Sequence, residues 1–250
     1  CVPALRRLGR DGLIHGGILG VALCAGYAFQ TVGLRHIEAT VAGFITGMFV
    51  VFTPVLSALL LRRRPGPFAL MGVFLATGGM ALLTLPAQPA GRAAGGFALS
   101  FGVMLMLACA VSFAAQIVGL GAWAARHDAL PLTVVQLATV AVLHAGLALA
   151  REPSAAAADW DAPVLFAVVF TALIASAFGF WMQTTAQKVI PPTRAAVIMT
   201  MEPVFAGLAG FLLLSERLGA PGWAGSALIL SGMLVAEAAP TRRAAAHPSG

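Results

Sequence analysis

The sequence predicts an all-α membrane bundle of eight spanning helices, and three observations carry that prediction. The chain of 250 residues is 60% hydrophobic and 10% charged, with a mean hydropathy of +0.93. A soluble domain carries about a quarter charged residues and could not hide so much apolar surface. The apolar runs are unbroken and about twenty residues long, the length a helix needs to cross a bilayer. They lack the two-residue alternation of barrel strands. In lipid only helices and closed barrels satisfy the backbone, so unbroken runs select helices.

Taken in order, the runs are 12–34, 39–61, 68–85, 97–125, 130–150, 162–187, 193–214 and 221–238. Short connectors rich in turn formers separate them: PGP at 65–67, PAQPAGR at 86–92, REPS at 151–154 and PPT at 191–193. No connector is long enough for a soluble domain. From Pro240 onward the chain is polar, and 239–250 reads as a disordered tail.

The net charge of +6 describes orientation once the charges are placed. Threading the runs from a cytoplasmic start puts eleven of the fifteen Lys and Arg on one side, and only Arg35, Arg92, Arg151 and Arg217 on the other. That is the positive-inside bias, so both termini read as cytoplasmic. No interleaved basic and aromatic pattern points to nucleic acid. Of Cys1, Cys24 and Cys109, the latter two lie inside runs, and none has metal-ligand spacing. They read as packing residues. No secretory signal pattern opens the chain.

The chain also repeats itself. Displaced by 153 residues, 26–82 aligns with 179–235 without a gap, with 19 of 57 pairs identical. The matches include Gln30 with Gln183, Thr31 with Thr184, Met48 with Met201, Gly72 with Gly225 and Gly79 with Gly232. Only one match is Ala and four are Leu, so apolar bias does not produce the score. The first three runs match the last three, a displacement of five spans. An odd displacement reverses direction across the membrane, so the expected plan is two inverted five-helix repeats, as in many secondary carriers. The second copy, 95–238, is complete. The first, 1–94, lacks its first two helices, which makes a ten-helix protein the expected whole and this chain an N-terminally truncated form.

Two runs resemble a known family. GYAFQTVGLRHIEATVAGFITGMFVVFTPVLSALLLRRRPGP is similar to the third and fourth helices of EamA-type carriers of the drug/metabolite transporter superfamily. TRAAVIMTMEPVFAGLAGFLLLSERLGAPGWAGSALILSGMLV is similar to their ninth and tenth, including the Glu-Pro pair and the Ser-Glu-Arg corner. The resemblance implies a ten-helix secondary carrier, usually of a bacterial inner membrane and often an exporter of amino acids or other small metabolites. Fourteen Arg against one Lys, with much Ala and Gly, fits a GC-rich bacterial genome.

The residues that could carry transport are few. Glu202 is the tenth residue of run 193–214. A charge near the bilayer centre costs roughly 2.5–3.5 kcal/mol on insertion scales, so it must face the interior or a wet cavity, where it could couple cargo to protons. Pro203 removes a backbone donor and clashes with the carbonyl of Met199, which loosens the helix beside the acid. A structural hydrogen bond for Glu202 and a packing kink at Pro203 are the alternative reading. Gln30 and Gln183, one per repeat, have aromatic neighbours, Tyr27 and Trp181 among them, and could orient a polar cargo or serve as interhelical glue. Thr46, Gln116 and His144 complete the candidate pathway, with Gln136 a further intramembrane polar residue; His144 also reads as a packing residue. Gly16–Gly20 and Gly43–Gly47 are small-residue pairs for close helix approach. No phosphate-binding loop, catalytic constellation or metal-ligand set appears, so no cofactor and no enzyme activity are expected. The expected partners are a small-molecule substrate and the lipid bilayer; oligomeric state is left open. A truncated, non-transporting membrane protein and an intramembrane lipid-processing enzyme stay open as alternatives.

Overall fold

The structure, a computed structural model, describes residues 8–37, 39–62, 65–84, 100–151, 161–202, 204–205, 208, 212 and 219–238. Among them every regular element is helical. The order is α1 (Gly9–Gly33), α2 (Ala39–Gly47), α3 (Phe49–Leu61), α4 (Pro67–Thr84), α5 (Phe101–Trp123), a 3₁₀ turn (Ala124–Arg126), α6 (Ala129–Arg151), α7 (Ala162–Phe170), a π-helical stretch (Thr171–Phe178), α8 (Gly179–Ala186), α9 (Pro192–Met199) and α10 (Ala220–Glu237). Among the described residues, four helical segments are long and apolar enough to cross a membrane: Gly9–Gly33, Phe101–Arg126, Ala129–Ala150 and Ala162–Ala186. Pro203 and the tail 239–250 lie outside the described residues.

Elements begin and end where local chemistry dictates. Ser100 caps α5 by accepting from the Val103 amide at 3.3 Å, and Asp161 caps α7 by accepting from the Val164 amide at 2.9 Å. These caps satisfy donors that a helix start leaves free. α3 stops at Arg62, whose backbone is left-handed at φ 51°, where the run of arginines begins.

Helices meet through missing side chains. In α4 and α10, Gly72 faces the Gly232 carbonyl, and Gly79 faces the Gly225 carbonyl and the Ile229 amide. The contact order, 72 with 232 and 79 with 225, means that the two helices run in opposite directions. On α1, Gly16 and Gly20 fit against Val135, Thr139 and the Gln136 carbonyl of α6, as the small-residue pair predicts. Gly47 leaves room for the Met80 thioether, whereas Gly43 has nothing within 4 Å, so close approach at 43–47 involves Gly47 alone. Cys24 and Cys109 are buried free thiols, as expected of packing residues.

Two expected spans are not continuous. Run 39–61 breaks at Met48, between α2 and α3, and run 193–214 breaks at Thr200–Met201, before helical backbone resumes at Glu202. The hydrogen bonds match across the repeat. Met48 donates to Ile45 at 3.1 Å and Met201 to Ile198 at 3.0 Å; Phe52 donates to Met48 at 3.1 Å and Phe205 to Met201 at 3.0 Å. Proline alone cannot cause both breaks. Val50 stands where the second copy has Pro203, and the nearest downstream proline in the first copy is Pro54.

Run 162–187 is helical throughout but takes π geometry over Thr171–Phe178, and neither α7 nor the π stretch buries any residue. The core lies elsewhere, where Phe49, Val50, Val73, Ala76, Ala110, Ala114, Ile117 and Ala195–Val197 converge. It is rich in alanine because helices this close leave little room.

Gly79→Ala puts a Cβ 2.5 Å from a backbone oxygen that cannot turn away. It should lower stability by about 1–3 kcal/mol, the usual cost of overpacking. Gly78→Ala meets nothing within 4 Å and should be neutral or stabilising. Thermal unfolding in detergent distinguishes the two.

Candidate functional site

The polar side chains form two groups in the bundle and a third at one end. The first is a chain of amides. Gln116 on α5 donates through Nε2 to Gln136 Oε1 on α6 at 3.0 Å, and its Oε1 accepts from Gln183 Nε2 on α8 at 3.1 Å. Gln183 also donates to Gln187 Oε1 at 3.2 Å and lies 3.7 Å from the Met199 sulfur at the end of α9. Gln187 closes the set by donating to the Ile117 carbonyl at 2.8 Å. Beside it the Thr133 hydroxyl donates to Thr184 Oγ1 at 3.0 Å. Gln116, Gln136 and Gln187 are buried. Amides suit such a place because each both donates and accepts, so four can satisfy one another without a charge. One donor remains over: among the described residues Gln136 Nε2 is buried without a partner.

The second group surrounds Tyr27 on α1. Its ring meets Phe113 on α5 edge-on at 5.3 Å and His144 on α6 at 6.4 Å. Gly26 permits this, since a Cβ there would strike the Phe113 ring. Glu202 and Cys109 lie within Coulombic reach of the Tyr27 hydroxyl. Thr46 Oγ1 sits beside the Cys109 thiol and is buried without a hydrogen bond of ordinary geometry. His144 Nδ1 is 3.2 Å from the Val140 carbonyl of its own helix.

Most of the sequence-derived residues thus converge. Tyr27, Thr46, His144 and Glu202 gather in one group, and Gln116, Gln183 and Met199 in the other. Glu202 is solvent-accessible in the isolated chain. Two candidates stand apart. Gln30 is half-buried and joins neither network among the described contacts. Trp181 is 38% exposed and packs on Phe178 at 5.9 Å within its own span. Trp181 and Gln183 are two residues apart, a spacing that puts them on different helix faces. Sequence reasoning missed Gln187, Thr133, Thr184, Cys109 and Phe113. Gln187 was legible, because four residues separate it from Gln183 on the same face.

The third group lies at the end where α1 and α6 begin. His15 Nδ1 is 2.9 Å from His127 Nε2, and the His15 ring stacks on Trp123 with centroids 4.4 Å apart and planes 7° from parallel. At that distance one ring donates and the other accepts, so the pair holds together while at least one ring is neutral. Desolvation pushes the His127 proton affinity below its ordinary value of 6.5, with His15, Arg126 and Lys188 adding to the effect and Asp11 opposing it. No sequence pattern pairs two histidines that are 112 residues apart.

The profile of the EamA-like transporter family matches residues 5–85 and 100–237. The chain belongs to that family. It is similar to an uncharacterized transporter of Archaeoglobus fulgidus, 30% identical over 87% of this chain and 66% of the relative. A second uncharacterized transporter of that organism is 24% identical over 88% of this chain and 74% of its own length. The chain therefore spans just under two thirds of the length of the first relative. A solved crystal structure shares the fold at a TM-score of 0.76 and 22% identity, covering 95% of this chain and 82% of that one. Family membership and the apolar helices together make this a multi-pass membrane protein.

Three substitutions test these contacts. Gln116→Leu strands the Gln136 carbonyl and a Gln183 donor, and should destabilise the bundle by about 0.6–1.7 kcal/mol, the range for interhelical hydrogen bonds in membranes. Gln30→Leu should cost less. Because folded His127 binds protons less readily than the unfolded chain does, stability falls as pH drops below the ordinary imidazole value. His127→Gln should flatten that decline in thermal melts between neutral pH and pH 5.

Proposed function

We propose that this protein is a secondary carrier of amino acids or other small polar metabolites, built from two inverted copies of a five-helix unit and working by alternating access. The reading rests on family membership and on one observation: the paired helix breaks at Met48 and Met201, with the same hydrogen-bond pattern in both copies. Interrupted helices near the centre of inverted repeats are where carriers bind cargo, because a broken ladder frees backbone groups for it. The antiparallel glycine packing of α4 on α10 supports the inversion. Its two contacts, Gly72 with Gly232 and Gly79 with Gly225, exchange when each glycine is replaced by its repeat mate.

In this reading cargo passes between the Tyr27 group and the amide chain. Glu202 begins the resumed helix after the second break, within Coulombic reach of Tyr27, and its carboxylate couples cargo to protons. In the first copy Phe49 occupies the equivalent position, so only one half carries the acid. The glutamines recognise polar cargo by exchanging their mutual hydrogen bonds for bonds to it. Among the described residues, the buried Gln136 donor has no partner at the outset. Export across a bacterial inner membrane, with the His15–His127 end cytoplasmic, fits the arginine-rich composition and the charge distribution.

Proteoliposomes holding the protein, loaded with labelled amino acids and given a pH gradient, test this. Glu202→Gln should keep cargo exchange but lose accumulation driven by the gradient. Unchanged gradient-driven accumulation would remove Glu202 from coupling, and no flux of any amino acid in the unsubstituted protein would remove this substrate class.

A further inference from the structure

At the end where α1 and α6 begin, a cleft of about 600 Å³ opens between elements distant in sequence. Its lining includes Arg10 from α1, Arg126 from the 3₁₀ turn and Lys188 beyond α8, together with Asp11, His127 and Asp128. Three cations against two carboxylates leave one positive charge in excess. Among the described residues neither carboxylate forms an ion pair with these cations. The three cations therefore share the cleft without a direct ion pair to either carboxylate, and their fields add there.

His127 ties these charges to one place. It lines the cleft and lies within electrostatic reach of Asp11, which favours its protonation, and of Arg126 and Lys188, which oppose it. A positive recess at the end of membrane-spanning helices lies at the depth where lipid phosphates lie. Below it, α1 presents an apolar column. Ile14, Ile18 and Val21 follow Arg10 and Asp11 at three- and four-residue spacings, and each is about half exposed. Such spacings place them on the helix face under the cleft.

The geometry points to a binding site for one anionic glycerophospholipid, with its phosphodiester between Arg10, Arg126 and Lys188 and its acyl chains along Ile14, Ile18 and Val21. The single excess charge matches a monoanionic phosphodiester better than a phosphate of higher charge. The apolar column favours a lipid over a free anion, which has nothing to place there. The site is separate from the amide chain and from Glu202, so it stands whether or not the carrier reading does. A lipid here ties together the starts of α1 and α6 and the end of α8.

Native mass spectrometry of the whole protein in neutral detergent tests this, with phosphatidylglycerol and phosphatidylcholine of matched chains as probes. The protein should retain phosphatidylglycerol preferentially. Arg126→Gln and Lys188→Gln should each weaken retention about fivefold, the usual contribution of one basic side chain near an anionic headgroup. Asp11→Asn adds to the excess charge and should strengthen it. Equal retention of the two lipids, or a preference unchanged in Arg10→Gln/Arg126→Gln/Lys188→Gln, would overturn the site. If that triple variant does not fold, Asp11→Asn decides: retention no stronger than in the unsubstituted protein would count against the site. Inorganic phosphate is the soluble arm. Should it displace phosphatidylglycerol at millimolar concentration, or shift His127 resonances that the lipid leaves alone, the cleft binds free anions and the lipid assignment fails.

Discussion

A bilayer offers the backbone no hydrogen-bond partner, and this constraint governs the rest of the structure. Every described spanning segment is helical because a helix settles its backbone bonds within itself. Lipid also removes the usual drive for apolar faces to associate, so helices must be held by close fit. Glycine supplies that fit. At Gly72, Gly79 and Gly232 backbone meets backbone, and at Gly16 and Gly20 a neighbouring helix fills the missing side chain. The same constraint makes each departure from regular helix informative. A broken ladder at Met48 or Met201 is tolerated where other protein surrounds it, as the burial of Ile45, Val50 and Val197 around the breaks indicates.

Polar groups obey the same rule. Four glutamines from α5, α6 and the end of α8 satisfy one another in a place where a single amide would be costly. Such a network specifies how the helices are rotated, because turning one by a residue would strand several groups at once. It can also be remade. Amides exchange partners at little cost, which would suit the cargo path we propose. The Tyr27 group differs in kind: an aromatic edge, a thiol, a hydroxyl and one carboxylate. The first group is neutral and largely buried; the second reaches out to the exposed carboxylate of Glu202.

The charged end links this interior to its surroundings. Arg10, Arg126 and Lys188 belong to the cation-rich side that charge counting assigns, and the fold brings them to one cleft. His15 and His127 close the bundle just inside it, braced on Trp123. A change in the charge of that cleft therefore reaches directly to the packing of α1 against the turn before α6.

Hydropathy alone placed the described helical segments to within a few residues, and the offset of 153 matched Gly72 with Gly225 and Gly79 with Gly232 as repeat mates, the four glycines at which α4 and α10 meet. These are legible because each depends on one segment and its solvent, or on a comparison of the chain with itself. Glu202 and Gln183 stood out for the same reason: polar residues in apolar runs are visible without knowing what they face. The break at Met48 was not legible, because no proline stands at the position where the second copy has Pro203. Nor was the link from Gln116 to Gln183, the pairing of His15 with His127, or the outward turn of Trp181. Those depend on how several helices rotate and slide against one another. Only the simultaneous steric fit of all of them fixes that choice, and no single run of residues records it.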